Sequence, residues 1–175
     1  RKVGTDGGLN LLSPSNRYGK ADTTNWFSFL ARYEEGDATA RCGVELYDQG
    51  MNIVGDVPFY FLIGKPANVD NWGMIAAGGA FVTSGVTAID GQTALLVTRI
   101  IFGAGTETAH LWVNPISRTE PQEGDAVVFT GVPHFEWSHI GIQAASAAQA
   151  PRYGVDELRF GTSWEVVMPE GPAPP

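Results

Sequence analysis

Apolar and polar residues alternate with a period of two along most of this chain. That period puts successive side chains on opposite faces of an extended strand. Trp26 to Tyr33 divides into Phe27, Phe29, Ala31 and Tyr33 on one face and Trp26, Ser28, Leu30 and Arg32 on the other. Thr93 to Phe102 has two apolar faces, Leu95, Val97 and Ile101 against Leu96, Ile100 and Phe102. A strand of that kind is central and covered on both sides. Further strand candidates are 42–46, 59–63, 110–113, 126–129, 137–144 and 155–160, with a weaker one at 9–12. Gly, Pro, Asn and Asp separate them, which favours an all-β antiparallel sandwich over any α/β alternation. The one helical candidate, 144–150, is Ala-rich and stops at Pro151 after at most about two turns. Residues 1–168 are expected to form a single sandwich domain with a short N-terminal edge. Residues 169–175 read as a Pro-rich linker or tail.

Charge narrows the partners. Lys plus Arg is 11 and Asp plus Glu is 19, for a net charge of −8. With no basic cluster, nucleic acid and anionic membrane surfaces are poor partners, because Lys and Arg supply most of the affinity for phosphate. No apolar run approaches the roughly 20 residues that span a bilayer as a helix. The single Cys42 forbids an intrachain disulfide and any zinc site built from paired cysteines. Its alternation with Val44 and Leu46 places it in the core as a small hydrophobe.

Three stretches carry a resemblance. They are Trp26-Phe27-Ser28-Phe29-Leu30, then Leu96 to Phe102 with Leu111-Trp112-Val113-Asn114-Pro115 about ten residues on, then Val155-Asp156-Glu157-Leu158-Arg159-Phe160-Gly161-Thr162-Ser163-Trp164. In order and spacing they resemble the laminin-G-like, concanavalin A-like jelly-roll domains of bacterial secreted and cell-surface proteins. The resemblance covers roughly residues 26–168. It implies a jelly-roll sandwich and an extracellular or cell-surface setting. It leaves activity open, because lectins, carbohydrate-binding modules, glycosidases, polysaccharide lyases and adhesion modules share the fold.

Catalysis finds little support in the pattern. A retaining glycosidase needs two carboxylates about 5–5.5 Å apart, expected as alternating acids on one strand. Glu34-Glu35-Gly36-Asp37 reads instead as a turn, and Glu45 with Asp48 or Asp156 with Glu157 would face opposite ways. The Arg-x-Glu-Leu and Gln-x-His strand motifs that a lyase of this kind usually carries are absent. A lyase needs Tyr, His, Arg and Gln around an anionic sugar, and the net negative charge is awkward for that substrate. His110, His134 and His139 read as scattered surface residues, and no Gly-x-Ser-x-Gly elbow is present.

Aromatic platforms with polar neighbours suit sugars, whose rings have an apolar face and a hydroxylated rim. If Ile140 and Ile142 face the core, Trp137 and His139 face outward with Gly141 and Gln143. Asp70-Asn71-Trp72 reads as a polar loop and is the preferred contact. Trp26, Trp112 and Trp164 lie within the fold motifs and read as packing residues. The candidate ligand-binding residues are therefore Asp70, Asn71, Trp72, Trp137 and His139. The resemblance also implies a structural Ca²⁺ near the last strand, where Asp156 stands. Alternation groups Asp156 with Leu158 and Phe160 on the core side, so it needs a metal, a backbone hydrogen bond or a pair with an arginine such as Arg99.

These readings combine into a non-catalytic extracellular module for a neutral polysaccharide or surface glycan. The main rival is a structural subunit of a surface layer or filament, in which neighbouring chains complete an exposed sheet edge. A glycosidase or polysaccharide lyase of the same fold is third.

Overall fold

The structure, a computed structural model, describes residues 16–47, 61–116, 119–146 and 151–169. The strands are β1 (Thr23–Glu35), β2 (Arg41–Tyr47), β3 (Phe61–Lys65), β4 (Asn71–Ala76), β5 (Phe81–Thr87), β6 (Thr93–Phe102), β7 (Thr106–Val113), β8 (Val127–Pro133), β9 (His139–Ala145) and β10 (Arg152–Gly161). They form two antiparallel five-stranded sheets. Sheet A has the order β10-β1-β6-β7-β8 and sheet B the order β5-β4-β3-β2-β9. The chain is an all-β sandwich with the jelly-roll architecture.

The core follows the period-two reading. Phe27, Phe29, Ala31 and Tyr33 of β1 meet Cys42, Val44 and Leu46 of β2 between the sheets. Burial pushes the Cys42 thiol up to about 12, with Lys65 partly opposing the rise, so the sulfur is an inert packing group. The doubly apolar β6 is central, flanked by β1 and β7. Leu96, Ile100 and Phe102 enter the main core, while Leu95 and Val97 enter a second cluster on the outer face of sheet A.

That second cluster differs from expectation. His110, read as a surface residue, is buried beside Trp112, which packs as its place in the fold motif implies. A short helical turn, α1 (Trp164–Val167), folds back over sheet A. Trp26 and Trp112 stack with centroids 5.7 Å apart, and Trp164 meets both edge-on at 5.7 and 5.6 Å. Ser28 Oγ donates to the Val167 carbonyl and ties the turn down.

Two candidate strands extend differently from the alternation. Residues 144 and 145 belong to β9 and not to a helix. The candidate at 9–12, the remainder of 144–150 and the tail beyond 169 lie outside the described residues. Asn71 and Trp72, read as part of a polar loop, open strand β4.

Candidate functional site

The two strands β2 and β9 pair in register, with Tyr47 opposite His139, Glu45 opposite Gly141, Gly43 opposite Gln143 and Arg41 opposite Ala145. Cys42, Val44 and Leu46 face the core, so Arg41, Glu45 and Tyr47 face away from it. Registration carries His139, Gly141 and Gln143 to the same outer face. Five polar or aromatic side chains thus share one patch of sheet B, in rows roughly 6.5–7 Å apart along the strands.

Gly141 makes the patch compact. A Cβ there would lie 2.7 Å from a Glu45 carboxylate oxygen and 3.0 Å from the Tyr47 ring. With no side chain at 141, Glu45 and Tyr47 fold over the bare backbone of β9. The Tyr47 and His139 rings are 5.5 Å apart at 33°. Ser138 Oγ and His139 Nδ1 are 2.9 Å apart, which fixes the imidazole orientation. Glycines continue the patch onto β3 and β4, where Gly64 pairs with Gly43 on one side and Gly73 on the other. At Gly64 a Cβ would stand 2.1 Å from the Cys42 carbonyl oxygen, so the backbones approach too closely for any other residue.

Two acceptors on this face have no partner. Glu45 Oε2 and Gln143 Oε1 are buried without a hydrogen bond among the described residues. A buried acceptor left unmatched costs about 1–3 kcal/mol, so such atoms are commonly matched by water or a ligand. Burial raises the Glu45 carboxyl above its ordinary range, with Arg41 partly opposing the rise. The chemistry on offer is acceptance of hydrogen bonds from hydroxyls, an aromatic surface, and an adjacent phenol and imidazole able to move protons. Glu45 is the one carboxylate among the described strand residues of this face, so a two-carboxylate glycosidase site is not assembled there.

Of the residues singled out from sequence, only His139 reaches this patch. Trp72 lies in β4 and is 2% exposed, packed in the main core. It points inward because β4 begins at Asn71 and alternation places Trp72 with Met74 and Ala76. Asn71 Nδ2 donates to the Ser84 carbonyl at 2.7 Å, and the exposed Asp70 accepts from Ala88 N through its own carbonyl. The trio therefore braces the β4–β5 edge and offers no aromatic platform. Trp137 is also 2% exposed. It precedes β9 and bridges to Tyr18, stacking on that ring at 4.5 Å and donating from Nε1 to Asn25 Oδ1 at 3.3 Å.

Asp156 is exposed, against the inward expectation. The cause is a bulge. Ser28 pairs with Arg159 but Leu30 pairs with Asp156, so Phe29 of β1 stands against two residues of β10, Glu157 and Leu158. Glu157 takes up the extra residue at φ 52. Phe160 packs on the core, and beyond the bulge Asp156 falls opposite Leu30 on the other face, as a one-residue slip requires; Leu158, within the bulge, is exposed. Asp156 Oδ1 accepts from Glu157 N at 2.7 Å. Among the described residues no group of three His, Cys, Asp or Glu side chains comes together as a metal site. The arginine proposed for Asp156 is engaged elsewhere: Arg99 lies beside the stacked Trp26 and Trp112, 5.6 and 5.7 Å from their ring centroids, and pairs with Glu120 at 2.7 Å and with Glu123.

Of the remaining histidines, His134 is a surface residue and His110 is not. His110 is buried beside Arg99, and desolvation followed by the Arg99 charge pushes it below its ordinary range. His134 Nδ1 lies 2.6 Å from the fully buried Glu107, whose other oxygen accepts from Gly103 N at 2.7 Å. A cleft of about 620 Å³ beside β7 is bordered by Trp112, Asn114, Glu120 and Asp125, among others. Glu120 there is already held by Arg99.

No family model matches this chain, and no curated protein does. Among solved structures it is similar to an alginate lyase from Pseudomonas aeruginosa, with a TM-score of 0.51 and 14% identity over 85% of this chain and 70% of that one. At that identity the likeness shows the fold, a jelly-roll sandwich, and the residues of the site must speak for themselves.

Proposed function

We propose that this chain binds a polysaccharide across the outer face of sheet B. The observation that carries the proposal is the pair of buried, unpartnered acceptors, Glu45 Oε2 and Gln143 Oε1, beside the Tyr47–His139 ring pair and the bare Gly141 backbone. With the Glu45 and Gln143 side chains turned toward the surface, sugar hydroxyls would supply the missing donors and a ring face would supply the apolar contact. The solved neighbour acts on alginate, by its title, and a polysaccharide ligand is compatible with that. An extracellular or cell-surface setting, as the laminin-G-like resemblance implies, is part of the same proposal.

A second reading is favoured by one specific feature. Arg41, Tyr47, His139 and Gln143 share one face, and eliminative cleavage of a uronate polymer needs a cation or amide at the carboxylate, a base for the adjacent carbon-bound proton and an acid for the leaving oxygen. Affinity electrophoresis of the whole chain against neutral and uronate polymers tests binding. The ultraviolet absorbance of unsaturated product tests elimination in the same samples. Retardation without new absorbance supports the binding module. Absorbance growing with time replaces it with the lyase. Retardation on no polymer removes both readings.

A further inference from the structure

Glu45 stands at the centre of the patch. Its strand neighbours on that face are Arg41 and Tyr47, and across β9 it looks onto His139 and Gln143. From β3, β4 and β5 the same face receives Leu62, Gly64, Gly73, Ile75, Phe81 and Thr83, none of which titrates. Resting on the polysaccharide reading, we infer that Glu45 sets the class of sugar this face accepts, taking neutral, hydroxyl-rich chains and turning away uronates.

The argument is one of donors and charge. An ionised carboxylate only accepts hydrogen bonds. A sugar hydroxyl can donate to the Glu45 carboxylate, whereas a sugar carboxylate at neutral pH has no proton to give and brings a like charge beside Glu45. Discrimination between a group that completes a hydrogen bond and one that leaves a buried atom unmatched is steep. Arg41 lies two rows from Glu45 on the same strand and already takes part in interactions of its own. The outer face of sheet B thus has no surplus of positive charge among the described residues with which to hold a polyanion.

The inference has a signature in pH. Because burial raises the Glu45 carboxyl, its proton leaves at a higher pH than that of a free glutamate. A neutral chain binds better as pH rises through that titration, since the charged carboxylate is the stronger acceptor. A uronate chain binds worse over the same interval.

The test uses the whole chain in native gels containing hydroxyethylcellulose, xyloglucan or galactomannan as neutral probes and polygalacturonate as the uronate probe. Wild type should be retarded by at least one neutral polymer and not by polygalacturonate. Glu45→Gln should weaken neutral binding by about ten- to a hundred-fold, and should let polygalacturonate retard the protein. Neutral retention should rise with pH in wild type and stay flat in Glu45→Gln. If Glu45→Gln does not fold, as judged by circular dichroism, the wild-type pH profile decides alone, and a profile that is flat or falls with pH overturns the inference. Neutral binding unaltered by Glu45→Gln, or a wild-type preference for polygalacturonate, also overturns it while leaving the polysaccharide reading intact. Retardation on no polymer removes that reading and this inference together.

Discussion

The outer faces of the two sheets are opposites. On sheet A, Trp26, Leu95, Val97, Trp112, Trp164 and Val167 form a second apolar cluster, sealed by α1. Its central charge, Arg99, is 13% exposed and answered by Glu120 and Glu123. On sheet B the corresponding surface is a patch of half-buried polar groups over glycine, beside the buried pair Leu62 and Ile75. Buried polar atoms without a hydrogen bond occur on both faces: Arg99 Nε, His110 Nδ1, Trp112 Nε1 and Trp164 Nε1 on sheet A are donors or ring nitrogens, whereas Glu45 Oε2 and Gln143 Oε1 on sheet B are acceptors. One face packs its aromatic residues under a helical turn, and the other sets polar side chains beside bare glycine backbone. The five tryptophans, the natural suspects for sugar binding, are all at most 4% exposed. Ligand chemistry has to be sought among smaller and more polar residues.

The contrast can be broken most forcefully at Trp164. Trp164→Ala removes an aromatic group that meets two others edge-on, and should cost about 3–5 kcal/mol in urea unfolding. Polysaccharide retardation of the folded fraction should be unchanged. A large loss of binding at matched folding would merge the two faces into one site.

Arg99→Met comes next. It keeps the apolar stem but removes the guanidinium beside Trp26 and Trp112, and should cost about 1–2 kcal/mol. Thermal unfolding measures this, and a neutral or stabilising result would show that the Arg99 network contributes specificity alone.

Gly141→Ala probes sheet B. The new methyl would displace the Glu45 carboxylate and the Tyr47 ring. Stability should change by less than about 1 kcal/mol, since flexible side-chain ends can yield. Binding to a neutral polymer should fall about tenfold, equivalent to roughly 1.4 kcal/mol. Unchanged binding would move the site off Gly141.

The smallest effect is the pH dependence of sheet A. His110 has its folded pKa pushed below the unfolded value. Its contribution to stability is therefore present above the unfolded pKa of about 6.5 and is lost as pH falls through the folded value. His110→Phe should flatten that part of the urea-midpoint profile. An unaltered slope would assign the dependence to another group.

Much of the fold is legible because alternation is a local signal. Phe27 to Tyr33, Cys42 to Leu46 and the two-sided β6 each declare their faces within a few residues. The site is less legible because it depends on events that alternation does not record. The bulge at Glu157 reverses Asp156, and nothing in Val-Asp-Glu-Leu-Arg-Phe marks where the extra residue enters. Trp137 appears to extend the alternation of β9, but the strand starts at His139 and the tryptophan belongs to a bridge with Tyr18. In the sequence Glu45 reads as half of an acid pair with Asp48, whose side chains would face opposite ways. Its significance comes from pairing opposite Gly141, about a hundred residues away in the chain, which no local pattern contains. The grouping of His139, Gly141 and Gln143 on one face was readable, and those residues were the available signal.

The central claim is that sheet B, and not sheet A, meets the ligand. Backbone amide shifts of the labelled protein, followed during titration with a neutral oligosaccharide that fits the retarding polymer, test it most directly. The account predicts saturable shifts concentrated in Arg41–Tyr47 and His139–Ala145. Shifts centred instead on β6, β7 and the turn at Trp164–Val167 would contradict it.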